Sequence, residues 1–168
     1  MALVAALLAT PAVATTVAKL SLEQLVQRAD LIVQGQVQSV YSQWDDERRL
    51  VFTYISIHVD EPLKGEPRQT VLIRQIGGRV GAIQMSVAGV PQFNRGERAL
   101  VFLKRQDATT FQVVGMNQGL YEIVEDSAVA NVFGMDLIDK KTGEITKPLV
   151  PARAPLEQLK NKIRELLR

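Results

Sequence analysis

The feature that most constrains the fold is the regular alternation of side chains between Leu50 and Val59. β-branched residues occupy every second position of this run: Val51, Thr53, Ile55, Ile57 and Val59. Successive side chains of a strand point to opposite faces of its sheet, so the run predicts a strand with one buried face. Shorter runs of the same kind recur along the chain and are separated by Gly, Pro, Asn and Asp, which favour turns. The chain is therefore predicted to be mainly β.

The same criteria predict the other elements. Further strands are expected at 31–41, 70–76, 99–103, 109–115 and 120–124, with one more at 127–133. In the first of these, Tyr41 is expected to share a face with Val37, while Gln34 lies on the wet face and Gly35 marks a bulge. A turn is expected at 61–67, and three prolines indicate an extended linker before residue 156. A short helix begins after Ser21, which has capping-box spacing to Gln24, and an amphipathic helix spans about 156–167.

These elements predict a small antiparallel OB-fold-like barrel with a short N-terminal helix and a C-terminal amphipathic helix packed across it. The longest gap between predicted strands falls between the third and the fourth, where an OB-fold often carries a helix or a long loop. With 168 residues, one domain is expected, covering residues 15–168.

The N-terminal residues 1–14 have the features of a signal peptide. An apolar run is followed by Pro11 and then by Ala12-Val13-Ala14, which fits the small-residue cleavage pattern and places the cleavage near Ala14-Thr15. The chain contains no Cys, which excludes a disulfide scaffold and thiol catalysis. The predicted location is therefore outside the cytoplasm of a bacterium, either secreted or periplasmic.

Charge and motif content exclude several classes of function. There are 20 basic and 18 acidic residues, a net charge of +2 without basic blocks, so no nucleic-acid partner is expected. His58 is the only histidine, so a metal site has little to build on. The run Gly77-Gly78-Arg79-Val80-Gly81 lacks the following helix of a phosphate loop. No cofactor and no transmembrane segment are predicted, because the apolar N-terminal run is too short to span a bilayer.

The most distinctive stretch lies between the third and fourth predicted strands. Five of the eleven glycines fall between Gly77 and Gly96, in a segment with little charge. Connections of this length inside a compact domain are uncommon and often functional. One interpretation is a short extra strand at 83–87 with Phe93 in the core; the other is a binding loop. The candidate binding residues are Gly77, Gly78, Arg79, Met85, Gly89, Pro91 and Phe93, with Gln118 and Gly119 nearby.

The predicted function is that of an exported, non-catalytic binding module for a protein or peptide, with no enzymatic activity. One alternative is a structural component of a cell-envelope assembly that docks through its C-terminal helix. Another is a carboxylate-based hydrolase that pairs Glu97 with Glu122 or Asp60. Sequence alone cannot provide the separation of the carboxylates that such a mechanism needs.

The order of three motifs resembles a known family. The motifs are ADLIVQGQV at 29–37, VDEPLKG at 59–65 and FNRGERALVFL at 93–103. This layout resembles the netrin-like and metalloproteinase-inhibitor OB-fold domains and, more closely, exported bacterial proteins of unassigned function. The resemblance covers about 29–124 and implies the fold. Inhibitors of that family chelate zinc through an N-terminal cysteine, which this chain lacks, so their mode of inhibition is not implied.

Overall fold

The computed structural model of the chain describes residues 16–132 and 135–168. The predicted signal peptide and part of the strand predicted at 127–133 lie outside the described residues. The strands are β1 Thr16–Ala18, β2 Leu31–Trp44, β3 Val51–Lys64, β4 Thr70–Ile76, β5 Gly78–Val80, β6 Ile83–Met85, β7 Arg98–Arg105, β8 Thr110–Val113, β9 Leu120–Val124, β10 Ser127–Ala130, β11 Asp136–Ile138, β12 Ile145–Thr146 and β13 Ala152–Pro155. The helices are α1 Leu22–Arg28, α2 Leu156–Leu166 and a 3-10 helix at Met116–Gly119. The prediction of a mainly β chain is confirmed.

Five strands form a continuous cycle of hydrogen-bonded neighbours. Strand β2 pairs antiparallel with β3 and with β7, and β3 pairs antiparallel with β4. Strand β8 pairs with β4 in parallel and with β7 antiparallel. Because β7 also pairs with β2, the cycle is closed. From β7 the sheet also continues outward through β9 and β10 to β13. Two smaller sheets are formed by β1, β11 and β12 and by β5 with β6.

Alternate residues of the long strands divide the apolar side chains between two cores. The inner core lies on one face of β2, β3, β4 and β7 and includes Val33, Ile55, Ile73 and Val101. The outer core lies on the opposite face of β2 and β7. Its members include Ile32, Leu100 and Phe102, each 0% exposed. The expected inward positions of β3 are confirmed, because Val51, Thr53, Ile55, Ile57 and Val59 are all buried.

Both helices cover the outer core. Ser21 caps α1 through the reciprocal bonds with Gln24 that the sequence predicts. Helix α1 buries Leu25, and α2 buries Leu159 and Ile163 in the same cluster. The predicted packing of the C-terminal helix against its own domain is therefore observed.

A charged cluster fixes α2 to the end of β3. Lys160 Nζ lies 2.5 Å from Glu61 Oε2, and Arg164 Nη2 lies 2.6 Å from Glu61 Oε1. Burial raises the pKa of the Glu61 carboxyl, but hydrogen bonds from Lys160 and Arg164 outweigh it, and its pKa is lowered. Burial likewise lowers the pKa of Lys160, and the hydrogen bonds to Glu157 and Glu61 raise it above its ordinary value. The cluster therefore favours the charged forms of its members.

Two expectations for β2 and β3 need correction. Strand β3 continues to Lys64 instead of turning at Glu61, because Pro62 lies at a register shift in the β2–β3 ladder where a missing N–H is tolerated. The predicted bulge at Gly35 is confirmed, but Gln34 is buried, since its neighbours Leu100 and Glu61 lie on the face that α2 covers.

The segment before α2 is also different from the prediction. It is not only a linker, because Ala152–Pro155 pairs antiparallel with β10 and forms the outermost strand of the sheet. An edge position suits Pro155, since the unpaired side of an edge strand needs no donor.

Candidate functional site

The connection between β4 and β7 is an ordered structure with its own hairpin. We call residues 77–93 the loop segment. Within it, Gly78–Val80 pairs antiparallel with Ile83–Met85, so that Gly78 lies opposite Met85. The extra strand expected at 83–87 is thus present as β6, in a shorter form. The hairpin pairs with no other described strand.

Two glycines allow the loop segment to leave β4 and return over the inner face of β2 and β3. Gly77 has φ +96° and donates its N–H to Val51 O at 2.8 Å. Gly78 has φ +133°, and a Cβ there would lie 2.2 Å from Thr53 Oγ1 and 2.3 Å from Ser42 Oγ. The adjacent glycines therefore provide both the positive φ and the close approach that this path of the chain requires.

A small network of hydrogen bonds holds the start of the loop segment against the strands. The hydroxyls of Ser42 and Thr53 lie 2.9 Å apart, and Thr53 Oγ1 donates to Gly77 O at 2.7 Å. These hydroxyls come from adjacent strands, at positions opposite each other in the β2–β3 ladder. The network joins β2, β3 and the loop segment at one point.

The end of the loop segment is anchored in the inner core. Phe93 is 7% exposed and belongs to the inner core, as the structural interpretation of the loop predicts. Pro91 O accepts a 2.7 Å hydrogen bond from Gln75 Nε2 on β4. The turn that follows is closed by Gly96 N, which donates to Val37 O at 2.8 Å. Both ends of the loop segment are therefore fixed to the sheet.

A cavity of about 510 Å³ lies between the loop segment and the strands, and we call it the loop cavity. Strands β2, β3 and β4 contribute Val40, Ser42, Thr53, Ile55, Gln75 and Ile76, and the loop segment contributes Gly77, Gly78, Arg79, Gln84, Met85, Ser86, Val87, Val90, Gln92 and Phe93. The lining combines apolar groups with hydroxyls and amides, and Arg79 is its single charged residue. Its volume lies within the ~300–1,000 Å³ typical of ligand sites.

One polar atom in the wall of the loop cavity has no partner among the described residues. Gln75 Oε1 is buried and accepts no hydrogen bond, although the Nε2 of the same amide donates to Pro91 O. A buried carbonyl oxygen without a donor costs about 1–3 kcal/mol.

The structure brings together five of the nine candidate residues. Gly77, Gly78, Arg79, Met85 and Phe93 line the loop cavity. The other candidate residues in the loop segment, Gly89 and Pro91, are not in its lining.

The remaining two candidates, Gln118 and Gly119, have structural roles. Gln118 is buried, donates to Ala18 O at 2.9 Å and accepts from Leu20 N at 2.8 Å, which ties β1 and the start of α1 to the 3-10 helix. A Cβ at Gly119 would lie 2.2 Å from Val114 O, so this position requires glycine for packing. The loop segment contacts the 3-10 helix at Gly89, whose O accepts a 3.1 Å hydrogen bond from Asn117 N.

The strand residues that line the loop cavity were not predicted from the sequence. Thr53 and Ile55 belong to the predicted inward face of β3, and only the position of the loop over that face makes them part of a site. Ser42 lies beyond the predicted end of the first strand at residue 41, because β2 continues to Trp44.

The prediction for Tyr41 is wrong. A register shift between Val37 and Ser39 adds one residue to β2, so Val40 and Ser42 face inward and Tyr41 faces outward. Tyr41 is 50% exposed and stacks on Tyr54, with ring centroids 5.3 Å apart.

The carboxylates considered for hydrolysis occupy a different place. Glu97 and Glu122 both line a cleft of about 160 Å³ beside β7 and β9, whereas Asp60 is exposed on β3 and is not in that lining. The Glu97 carboxylate accepts hydrogen bonds from the backbone and side-chain nitrogens of Asn94, which closes its own turn. Within residues 16–132 and 135–168, no cluster of metal-ligating side chains is present.

Comparisons with known proteins give no family for the chain: no protein-family model matches it, and no curated protein matches its sequence significantly. None of the helices in the described part of the chain has the length and apolar character needed to cross a membrane.

Proposed function

We propose that this chain is an exported, non-catalytic binding module that holds a protein or peptide partner at the loop cavity. The observation that carries the proposal is the cavity itself, which has a ligand-sized volume and a lining of apolar and uncharged polar groups with one charged residue, Arg79. Such a lining suits uncharged side chains and backbone amides of a polypeptide better than a highly charged metabolite.

We infer further that the five-strand cycle is an OB-fold barrel. An OB-fold is a five-stranded, partly open Greek-key barrel. The cycle of β2, β3, β4, β8 and β7 has the same number of strands, and its parallel pair joins the third and fifth of them in chain order. Its long connection lies between the third and fourth strands, which agrees with the resemblance drawn from the motif order. In this fold the loop cavity would lie under that long connection.

Export is part of the proposal and rests on the sequence of residues 1–14. The apolar run and the Ala12-Val13-Ala14 pattern support removal of this segment during secretion. We expect N-terminal sequencing of the protein recovered from outside the cytoplasm to begin at Thr15. Recovery of protein that begins at Met1 and stays in the cytoplasm would contradict export.

The experiment that tests the binding function uses a displayed library of random dodecapeptides, selected on the full chain. We expect selected peptides to lose at least about fivefold in affinity when Arg79→Ala or Met85→Ala is introduced, which corresponds to the loss of about 1 kcal/mol of contact. Arg95→Ala is the matched control, because Arg95 is an exposed arginine of the next turn and does not line the loop cavity. Peptides that bind all of these variants equally would place binding elsewhere.

The structure gives less support to docking through the C-terminal helix. Leu156, Leu159 and Ile163 of α2 are already buried in the outer core, and only Leu166 at the end of its apolar side is exposed. A helix that docks a partner through its apolar face needs that face to be free. The binding module is therefore the function that we propose.

A further inference from the structure

Strand β2 extends well beyond its neighbour β7. The β2–β7 ladder covers Leu31 to Gln36. Two more backbone bonds follow at Val37, which donates to Glu97 O and accepts from Gly96 N, each at 2.8 Å. From residue 38 to residue 44, β2 pairs only with β3 among the described strands. We call residues 38–44 the open half of β2.

The ladder bonds on either side of β3 show which backbone groups of the open half point outward. Val59 N donates to Gln69 O and Gly77 N donates to Val51 O, so the backbone groups of Val51 and Val59 face β4. Along a strand, the N–H and C=O groups of successive residues point to opposite sides. The backbone groups of residues 52, 54 and 56 therefore face β2, where they pair with residues 43, 41 and 39. It follows that the N–H and C=O groups of Val40, Ser42 and Trp44 point away from β3, towards the unpaired side.

The open half carries neither charge nor proline, two features that commonly block an edge strand. Its sequence, Gln-Ser-Val-Tyr-Ser-Gln-Trp, contains no charged residue and no proline. Natural edges are commonly blocked by lysine, by proline or by an inward-pointing charge. The charges of this hairpin are confined to its tip at 45–49. Seven residues at ~3.4 Å each give an unpaired edge about 24 Å long.

We infer that the open half of β2 receives an extended peptide segment of a partner protein, which adds to the sheet as a further strand. This inference rests on the proposed function and gives its mechanism of recognition. In strand addition the backbone hydrogen bonds provide affinity, and pockets for alternate side chains provide specificity. Here a pocket already lies beside the edge, because Val40 and Ser42 of the open half line the loop cavity.

The two faces of the added strand meet different surroundings. Side chains on the inner face lie beside Val40 and Ser42, and the loop cavity runs from these residues across β3 to Gln75 on β4. The lining holds no acid, and its one charged group, Arg79, donates hydrogen bonds, so the cavity suits a long uncharged side chain that carries an acceptor, such as Gln or Tyr. Side chains on the outer face lie beside the exposed ring of Tyr41.

The surface beside Tyr41 is aromatic, which favours an apolar or aromatic residue on the outer face of the segment. Tyr41 stacks on Tyr54, and the Arg74 guanidinium lies 3.9 Å from the centroid of the Phe52 ring. Stacked aromatic pairs contribute about 0.5–1.5 kcal/mol beyond the area that they bury. The expected recognition pattern is therefore a long uncharged side chain with an acceptor on one side of the segment, with apolar residues at alternate positions on the other.

The test uses dodecapeptides selected on the full chain and compares Val40→Pro with Val40→Ala. Both variants remove the valine side chain, but only proline removes an N–H, and that N–H faces the unpaired side, where proline is tolerated. We expect Val40→Pro to weaken the selected peptides about tenfold more than Val40→Ala does, because one backbone bond is lost and the ring obstructs the edge. On binding, amide exchange at Ser42 and Trp44 should slow.

The outcomes separate this inference from the proposed function. Peptides that depend on Arg79 but bind the Val40→Pro and Val40→Ala variants with equal affinity would overturn strand addition. The binding module would then remain supported. A library that gives no binder would overturn both. Slow, concentration-dependent exchange at Ser42 and Trp44 in the protein alone would mean that a second copy occupies the edge, which also overturns the inference.

Discussion

The two halves of strand β2 have opposite surroundings, although they belong to one continuous strand. In the first half, Ile32 is buried in the outer core and Val33 in the inner core, and ladders with β3 and β7 lie on both sides. In the open half, Val40 is 38% exposed beside the loop cavity and Tyr41 is 50% exposed on the outer face. One edge of this half is unpaired among the described strands.

This difference shows how one strand provides both stability and a site. The first half joins the two cores, so its side chains cannot change without disturbing packing on one face or the other. The register shift between Val37 and Ser39 separates the halves and sets which residues of the open half face the cavity. The stability of the domain is therefore expected to depend on the first half, and recognition on the second.

The largest expected effect comes from emptying a buried position in the first half. Ile32→Ala should lower the free energy of unfolding by about 2–5 kcal/mol, because it leaves a cavity in the outer core. Tyr41→Ala, in the open half, should lower it by about 1 kcal/mol or less, since half of the ring is already exposed. Urea unfolding of the two variants measures both values. Equal losses would mean that the halves are equally structural.

Gly35 and Gly81 give the next contrast in stability. A Cβ at Gly35 would lie 2.1 Å from His58 O, a backbone atom that cannot move without disturbing the ladder, so Gly35→Ala should cost about 3 kcal/mol. Gly81 in the β5–β6 turn has open space around it and φ +60°, and Gly81→Ala should cost about 1 kcal/mol. Thermal unfolding compares the two. A Gly81 variant that is the less stable of the pair would contradict the assignment of stability to the first half.

The smallest expected effect is the pH dependence of the cluster that fixes α2 to β3. The pKa of Glu61 is lower in the folded state than in the unfolded chain, so its contribution is complete above the unfolded pKa of ~4.3. It is lost as the pH falls through the folded pKa. We expect the free energy of unfolding to fall by about 1 kcal/mol below about pH 4, which is the size expected for a partly exposed ion pair.

The control for the charged cluster is Glu61→Gln, which keeps the shape of the side chain and removes its titration. Its urea midpoint should change less between about pH 7 and pH 3 than that of the unchanged protein. Identical pH profiles would mean that Glu61 does not couple α2 to the sheet.

Much of the fold follows from local sequence patterns. Alternation identified the inward face of β3, and the helical spacing of Leu159 and Ile163 identified the buried side of α2. Gly35 correctly indicated a bulge. The misplaced Tyr41 shows the limit of this approach, because a single inserted residue reverses every later side chain, and its position depends on the partner strand.

The site was predictable only in part for a related reason. The glycine content of the loop segment indicated an unusual connection, and Arg79 and Met85 do line the cavity. Ser42, Thr53 and Gln75 join them only because the loop folds back over the strands, which is a tertiary property. Gln118 resembled a loop residue in the sequence, but its amide is used to hold the N-terminal segment.

The most direct test of this account is amide hydrogen exchange in the free full chain, measured residue by residue by NMR. We predict slow exchange at Val33 and Gly35 in the first half of β2. In the open half, Tyr41 and Gln43 should exchange slowly, while Val40, Ser42 and Trp44 should exchange at nearly unprotected rates, because their N–H groups face the unpaired edge. Uniform protection from residue 38 to residue 44 would contradict the open edge and the mode of recognition inferred from it.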